Sequence, residues 1–141
     1  MNIKHFLVEQ LKAAMLAAGL PQDSEPLVTQ STRPEFGDYQ ANGALPAAKK
    51  MKANPRELAT KIIAELALEG IADKIEIAGP GFINIHLAAD YLAKLCARAL
   101  ADKQLNVEPG REPQTVVVDY SGPNLAKEMH VGHLRSPIIG D

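Results

Sequence analysis

Lys74-Ile75-Glu76-Ile77-Ala78-Gly79-Pro80-Gly81-Phe82-Ile83-Asn84-Ile85-His86-Leu87 reads as a β-hairpin. Apolar and polar residues alternate with period two on both sides of a Gly-Pro-Gly turn, so each strand has one apolar and one polar face. Such a hairpin needs a layer to cover its apolar side, and the flanking sequence supplies helices. Upstream, Asn54 reads as an N-cap, Pro55 as N1 and Glu57 as N3 of a capping box. Leu58, Ile62, Ile63, Leu66 and Leu68 give that helix its apolar face, and Gly70 ends it. Downstream, a helix runs from about Ala89 to Asp102 and closes the unit.

Further out, residues 2–18 carry Ile3, Phe6, Leu7, Leu11, Ala14 and Met15 at helical spacing, with Gly19 as a stop. Leu27-Val28-Thr29-Gln30 and Phe36-Gly37-Asp38-Tyr39-Gln40 are two short strand candidates. A short helix over 41–51 follows, with Pro46 in its first turn, where a missing N–H costs little. The order is helix, two strands, helices, two strands, helix. This predicts an α+β fold: a two-layer domain with a small antiparallel sheet of about four strands covered on one face by helices.

Residues 106–113, Asn-Val-Glu-Pro-Gly-Arg-Glu-Pro, are polar and rich in Pro and Gly, which marks a linker between domains. Beyond it Thr115–Tyr120 is an apolar run of the kind found in buried parallel strands. The predicted organisation is therefore a domain over 1–106, a linker over 107–113, and the start of a truncated Rossmann-like domain over 114–141. That second part is expected to pack poorly alone, because a parallel strand without neighbours leaves its ladder groups unpaired.

The net charge of −2 and a pI near 6.1 do not suit nucleic-acid binding through bulk electrostatics. Any such contact must be local. The local candidate is Lys49, Lys50, Lys52, Arg56 and Lys61, which also reads as a solvated helix face. The single cysteine, Cys96, lies in an Ala/Leu-rich helical stretch and reads as a small core hydrophobe. No apolar run approaches a membrane span, the start lacks the pattern of a signal peptide, and a reducing cytoplasm is the expected setting.

The chemistry sits near the end, in Asp119-Tyr120-Ser121-Gly122-Pro123-Asn124-Leu125-Ala126-Lys127-Glu128-Met129-His130-Val131-Gly132-His133. A strand feeding a helix through a tight turn aims backbone N–H groups and the positive end of the helix dipole at one point, where phosphate binds readily. Two imidazoles three residues apart share a helix face. Gly132 lets a ligand approach the backbone, and Lys127 adds a point charge. The same pair of histidines also reads as two zinc ligands or as ordinary helix-end residues, and Gly122-Pro123-Asn124 reads also as a plain turn.

This segment, continued by Leu134-Arg135-Ser136, resembles the HIGH-motif region of class I arginyl-tRNA synthetases. Phe36-Gly37-Asp38-Tyr39-Gln40-Ala41-Asn42 and Gly79-Pro80-Gly81-Phe82-Ile83-Asn84-Ile85 resemble signatures of the N-terminal additional domain of that family. Two positions depart from the family pattern: Gly122, where Ala or Ser is usual, and Pro137, where Thr is usual. Pro137 is expected to kink the helix after the histidines at a cost of about 3 kcal/mol.

The resemblance implies an enzyme that activates L-arginine with ATP and Mg2+ and transfers it to tRNA(Arg), acting as a monomer without a membrane. It implies His130 and His133 as catalytic residues and His130, Gly132, His133 and Lys127 as ATP contacts. Asp119, Ser121, Gly122, Pro123, Asn124 and His133 would hold arginine, and Gly79, Phe82 and Asn84 would contact the D-loop corner of tRNA. No resident metal or tightly bound cofactor is implied. Phe82 reads also as a core residue. The 141 residues are expected to be inactive by themselves, and the alternative reading is a free-standing RNA-binding module without catalysis.

Overall fold

The computed structural model describes residues 2–107, 115–118, 126–128 and 130–140. Helix α1 spans Ile3–Ala17, capped by Asn2, whose side chain accepts from the His5 N–H. Leu7, Leu11, Ala14 and Met15 recur at helical spacing and are buried. Strand β1 (Val28–Gln30), a single 3-10 turn (Pro34–Phe36), β2 (Tyr39–Ala41) and α2 (Ala44–Met51) follow. Then come α3 (Pro55–Ala64), β3 (Ala72–Ala78), β4 (Phe82–Leu87), α4 (Ala89–Ala101) and, in a second compact unit, α5 (Val131–Gly140). The first unit runs from Met1 to Glu108 and the second from Pro109 to Asp141.

The four strands form one antiparallel sheet in the order β1-β2-β4-β3. Rows of paired residues cross it. Val28, Ala41, Ile83 and Ile77 make one row and Gln30, Tyr39, Ile85 and Ile75 the next. Ile83 and Ile85 are fully buried under α1 and α3, together with Leu58, Ile62 and Leu66. The expected α+β fold, with one small sheet covered by helices, is what forms.

Five local expectations change. Phe36 belongs to the 3-10 turn, not to β2, because Pro34 starts that turn and Gly37 (φ 78°) reverses the chain after it. A Cβ on Gly37 would sit 2.6 Å from the Ile85 carbonyl oxygen, so β4 itself excludes any larger residue there. The α2 helix begins at Ala44 instead of 41. Next, α3 stops at Ala64, well before Gly70. Leu66 and Leu68 still reach the core, but at the two-residue spacing of extended chain.

The Asn54 cap is also rearranged. Its Oδ1 accepts the Arg56 N–H at 2.9 Å, and Glu57 accepts from the Asn54 side-chain amide, not from the backbone. Finally, α4 buries no residue completely. Tyr91, Leu92, Leu95 and Ala99 are half-covered, and Cys96 is exposed, contrary to the core position expected for it.

In the second unit, Thr115–Val118 forms no strand, although a buried parallel strand was expected from 115. Val116, Val117 and Val118 are each at least 73% exposed. A strand is held by its neighbours' ladder groups, and none is present among the described residues of this unit. Residues 119 and 120, and the linker residues 108–113, lie outside the described residues. Helix α5 continues through Pro137, where a helical N–H is missing by covalent structure.

Candidate nucleic-acid interface

The helices cover one face of the sheet and leave the other open. Because side chains alternate, the open face is fixed by the same register that builds the core. Its central row crosses all four strands: Thr29, Gln40, Asn84 and Glu76. Ala78 and Phe82 make the row towards the β3–β4 turn, and Lys74 and His86 the row on the other side.

Between this face and the Ser31–Phe36 segment lies a cleft of about 590 Å³, bounded also by Ala78, Gly79 and Phe82. Its shape depends on Asp38. The Asp38 N–H donates to the Ile85 carbonyl at 2.9 Å, its carboxylate accepts the Leu87 N–H at 2.7 Å, and its own carbonyl accepts from Ser31. One residue thus ties the loop after β1 to the middle of the sheet. That is the physical content of the Phe36-Gly37-Asp38 signature.

Phe82 and Gly79 both line the cleft. Phe82 is half-exposed, outside the core cluster, with its ring close to Gly79, where a Cβ would stand 3.5 Å from Phe82 Cδ2. The simple core reading of Phe82 is therefore replaced by an open-face position. Asn84 behaves differently: it is only 1% exposed. Its Oδ1 accepts from Gln40 Nε2 at 2.8 Å, and its Nδ2 has no partner. Gln40, which donates to Asn84, is half-buried and lines the cleft.

Gln40, Thr29, Arg33 and Phe36 were not identified from sequence as site residues, yet all four line the cleft. The signal for Gln40 was available, since it occupies the polar position of an alternating strand. For Arg33 and Phe36 there was none, because only the fold-back of the loop brings them over the sheet.

The charges on this face are largely balanced. The Lys74 ammonium beside Glu76 (2.6 Å) holds its carboxyl below the usual glutamate range, and His86 at 3.3 Å adds to this. Lys50 similarly lowers the Asp23 carboxyl, at 2.7 Å.

The second candidate site is the start of α5. His130 Nδ1 accepts the Gly132 N–H at 3.0 Å, and His133 Nδ1 accepts the His130 N–H at 3.0 Å. This is a capping box built from imidazoles, with the two ring centroids 4.0 Å apart. With both Nδ1 atoms accepting, each neutral ring carries its proton on Nε2, which is left as a donor. Gly132 suits the position of the His130 ring: a Cβ there would meet the imidazole at 2.8 Å and displace it. The His130 ring stands beside Gly132, the position expected to admit a ligand.

Lys127 is exposed. Asp119, Ser121, Gly122, Pro123 and Asn124, the expected arginine contacts, lie outside the described residues. Among the described residues, no group of three His, Cys, Asp or Glu is placed to hold a metal ion, and no helix is long and apolar enough to cross a membrane.

Two known domain families together match most of the chain. Residues 1–87 match the arginyl-tRNA synthetase N-terminal domain, and residues 96–141 match the class I (R) tRNA synthetase catalytic domain. The chain is 63% identical to the arginine–tRNA ligase of Colwellia psychrerythraea and 64% identical to that of Pseudoalteromonas translucida. Each match covers all of this chain and about a quarter of the relative. Its fold matches the arginyl-tRNA synthetase of Plasmodium falciparum with a TM-score of 0.77 at 31% identity, over 99% of this chain and 27% of that one. The Thermus thermophilus arginyl-tRNA synthetase gives a TM-score of 0.61 at 26% identity, over 99% of this chain and 22% of the other. The chain belongs to the arginyl-tRNA synthetase family, and it spans its N-terminal domain and the beginning of its catalytic domain.

Proposed function

We propose that these residues serve an arginine–tRNA ligase in which 1–106 hold tRNA(Arg), 107–113 link, and 114–141 begin the catalytic domain. The carboxylate of L-arginine attacks the α-phosphate of ATP, which carries its Mg2+. Arginyl-adenylate forms and pyrophosphate leaves. The terminal ribose hydroxyl of the tRNA then takes the arginyl group and releases AMP. Charge develops on phosphoryl oxygens in the first step, so the protein's task is positioning and donation of hydrogen bonds.

The observation that carries this reading is the pair of imidazole caps at the start of α5, His133 on the His130 N–H and His130 on the Gly132 N–H. It commits both Nδ1 atoms and leaves two Nε2 donors beside a helix N-terminus, an arrangement suited to a polyphosphate. Gly132 supports it by accommodating the His130 ring, and Lys127 supplies a nearby charge. In this reading Asp119, Ser121, Gly122, Pro123 and Asn124, with His133, receive the arginine. Acceptors such as the Asp119 carboxylate and the Asn124 amide oxygen suit a guanidinium. Gly79, Phe82 and Asn84 belong to the tRNA contact: Phe82 offers a stacking face for an unpaired base, and Asn84 acts beneath it. A monomer in the cytoplasm is part of the same proposal.

The test is arginine-dependent ATP–pyrophosphate exchange by a longer protein that contains this segment and the remainder of its catalytic domain. His133→Ala is expected to lower kcat by about 100-fold or more; unchanged exchange would overturn the role given to this histidine. A polypeptide of these 141 residues alone is expected to show no exchange. One observation favours a second reading, an RNA-binding module that works independently: the first compact unit has a complete buried core of its own.

A further inference from the structure

Five basic residues within thirteen positions, Lys49, Lys50, Lys52, Arg56 and Lys61, suggested either a local nucleic-acid contact or a solvated face. The fold treats them differently. Lys50 is engaged with Asp23 at 2.7 Å. Lys61 lies in the last turn of α3, away from the helix start. Arg56 stands beside the open-face cleft, because the cap at Asn54 fixes the N-terminus of α3 near the β3–β4 turn. Its guanidinium donates to the Gly79 carbonyl at 3.3 Å, and Gly79 is both a wall of the cleft and the neighbour of the Phe82 ring. A second arginine, Arg33, lines the cleft itself, from the loop that folds over the sheet. Arg33 is partnered only loosely, with Glu35 at 3.6 Å, and both side chains are exposed.

A guanidinium bound once to a carbonyl keeps other N–H donors in a fixed fork, the geometry that suits a phosphate. The acidic group of this face, Glu76, is already balanced by Lys74 and His86 and does not compete for them. We infer that Arg56 and Arg33 hold the backbone phosphates that flank the nucleotide stacked on Phe82. The RNA is thus gripped at two points on a chain whose net charge is −2. This rests on the RNA-binding reading above and deepens it: the cleft recognises a base together with its sugar-phosphate backbone.

The experiment is binding of the full 141-residue chain to an unmodified tRNA(Arg) transcript across a potassium chloride series. Each phosphate contact adds about 0.7 to 0.9 to the slope of log affinity against log salt. Arg56→Gln keeps a donor for the Gly79 carbonyl but loses the charge, so its slope is expected to be shallower by that amount. Between about 50 and about 200 mM salt it then loses roughly threefold less affinity than the parent. Arg33→Gln is expected to do the same, and Arg56→Lys to retain the parental slope. Phe82→Ala is expected to weaken binding at every salt concentration with no change of slope, and Lys61→Ala to leave slope and affinity unchanged.

If Arg56 only tethers the turn, Arg56→Gln and Arg56→Lys will both keep the parental slope, and the inference is overturned. A slope lowered equally by Lys61→Ala overturns it as well, since the effect would then be bulk charge. A parent chain that binds no transcript at any salt overturns the RNA-binding reading itself, and this inference with it. A parent that binds while Arg56→Gln leaves the slope unchanged removes this inference alone.

Discussion

Ile85 and Val117 are both β-branched, both lie in alternating or apolar runs, and both read from sequence as strand residues. Ile85 is fully buried, paired on both sides, and roofed by helices. Val117 is 87% exposed in a segment that forms no strand. The difference lies in what surrounds them. A propensity for extended chain becomes a strand only when other strands offer ladder groups and a layer covers the apolar side. The first unit contains all of its partners within about ninety residues of chain. In the second unit, Val131, Leu134, Ile138 and Ile139 are exposed as well, an apolar helix that none of the described residues of its unit covers.

This contrast can be broken by mutation. Ile85→Ala is expected to cost about 2 to 5 kcal/mol of folding stability in urea titrations, by cavity formation. Val117→Ala is expected to stay within about 0.5 kcal/mol. Equal effects would abolish the distinction between the regions. Gly37→Ala comes next, at about 1 to 3 kcal/mol, because both the left-handed φ and the Ile85 carbonyl oppose a Cβ. Since that carbonyl is backbone in the centre of the sheet, no rotamer change relieves the clash.

Gly132→Ala tests the other region with the same chemistry and a different neighbour. The obstacle is the His130 ring, which can swing away, so the cost is confined to the cap, about 0.5 to 2 kcal/mol of local helix stability. Faster amide exchange at the start of α5, with an unchanged midpoint for the first unit, is the expected result.

The smallest effect concerns pH. The Glu76 carboxyl titrates below its usual range because of Lys74 and then His86, so its contribution is present above the ordinary glutamate pKa. It is lost as pH falls through the lowered value. Glu76→Gln is expected to flatten the acid limb of stability against pH in that window and to change nothing near neutrality. An unaltered acid limb would show that the exposed pairing carries no stability, as many surface pairs do not.

Much of the fold was legible because its signals are local. The β4 strand begins and ends where the alternation of Phe82–Leu87 does, and Asn54-Pro55 announces the start of α3. What could not be read depended on distant partners. Phe36 left its expected strand because Gly37 is pressed against β4, nearly fifty residues away. Cys96 looked like a core residue because Ala and Leu surround it, but α4 has little to pack on. In the candidate RNA cleft, Phe82 and Gly79 were found through the family signature and Gln40 was not, although it stands in the same row as Asn84. Arg33 carries no pattern at all, since the loop that bears it is placed by Asp38. At the start of α5 the histidines were evident, but nothing in their spacing showed that both rings would turn back to cap the helix, on the N–H groups of Gly132 and His130.

The pairing of Gln40 with Asn84 spans 44 residues, and the ladder between β2 and β4 has a similar span. Each hairpin, β1 with β2 and β3 with β4, closes over a short loop, whereas joining them requires a long one with its larger entropic cost. The recognition surface therefore has a birth order. Its two halves are expected to form first and separately, and the cleft needs the long-range pairing of β2 with β4. For a chain emerging from the ribosome, the open-face cleft cannot be complete until Leu87 has appeared and the α2–α3 segment lies between the hairpins.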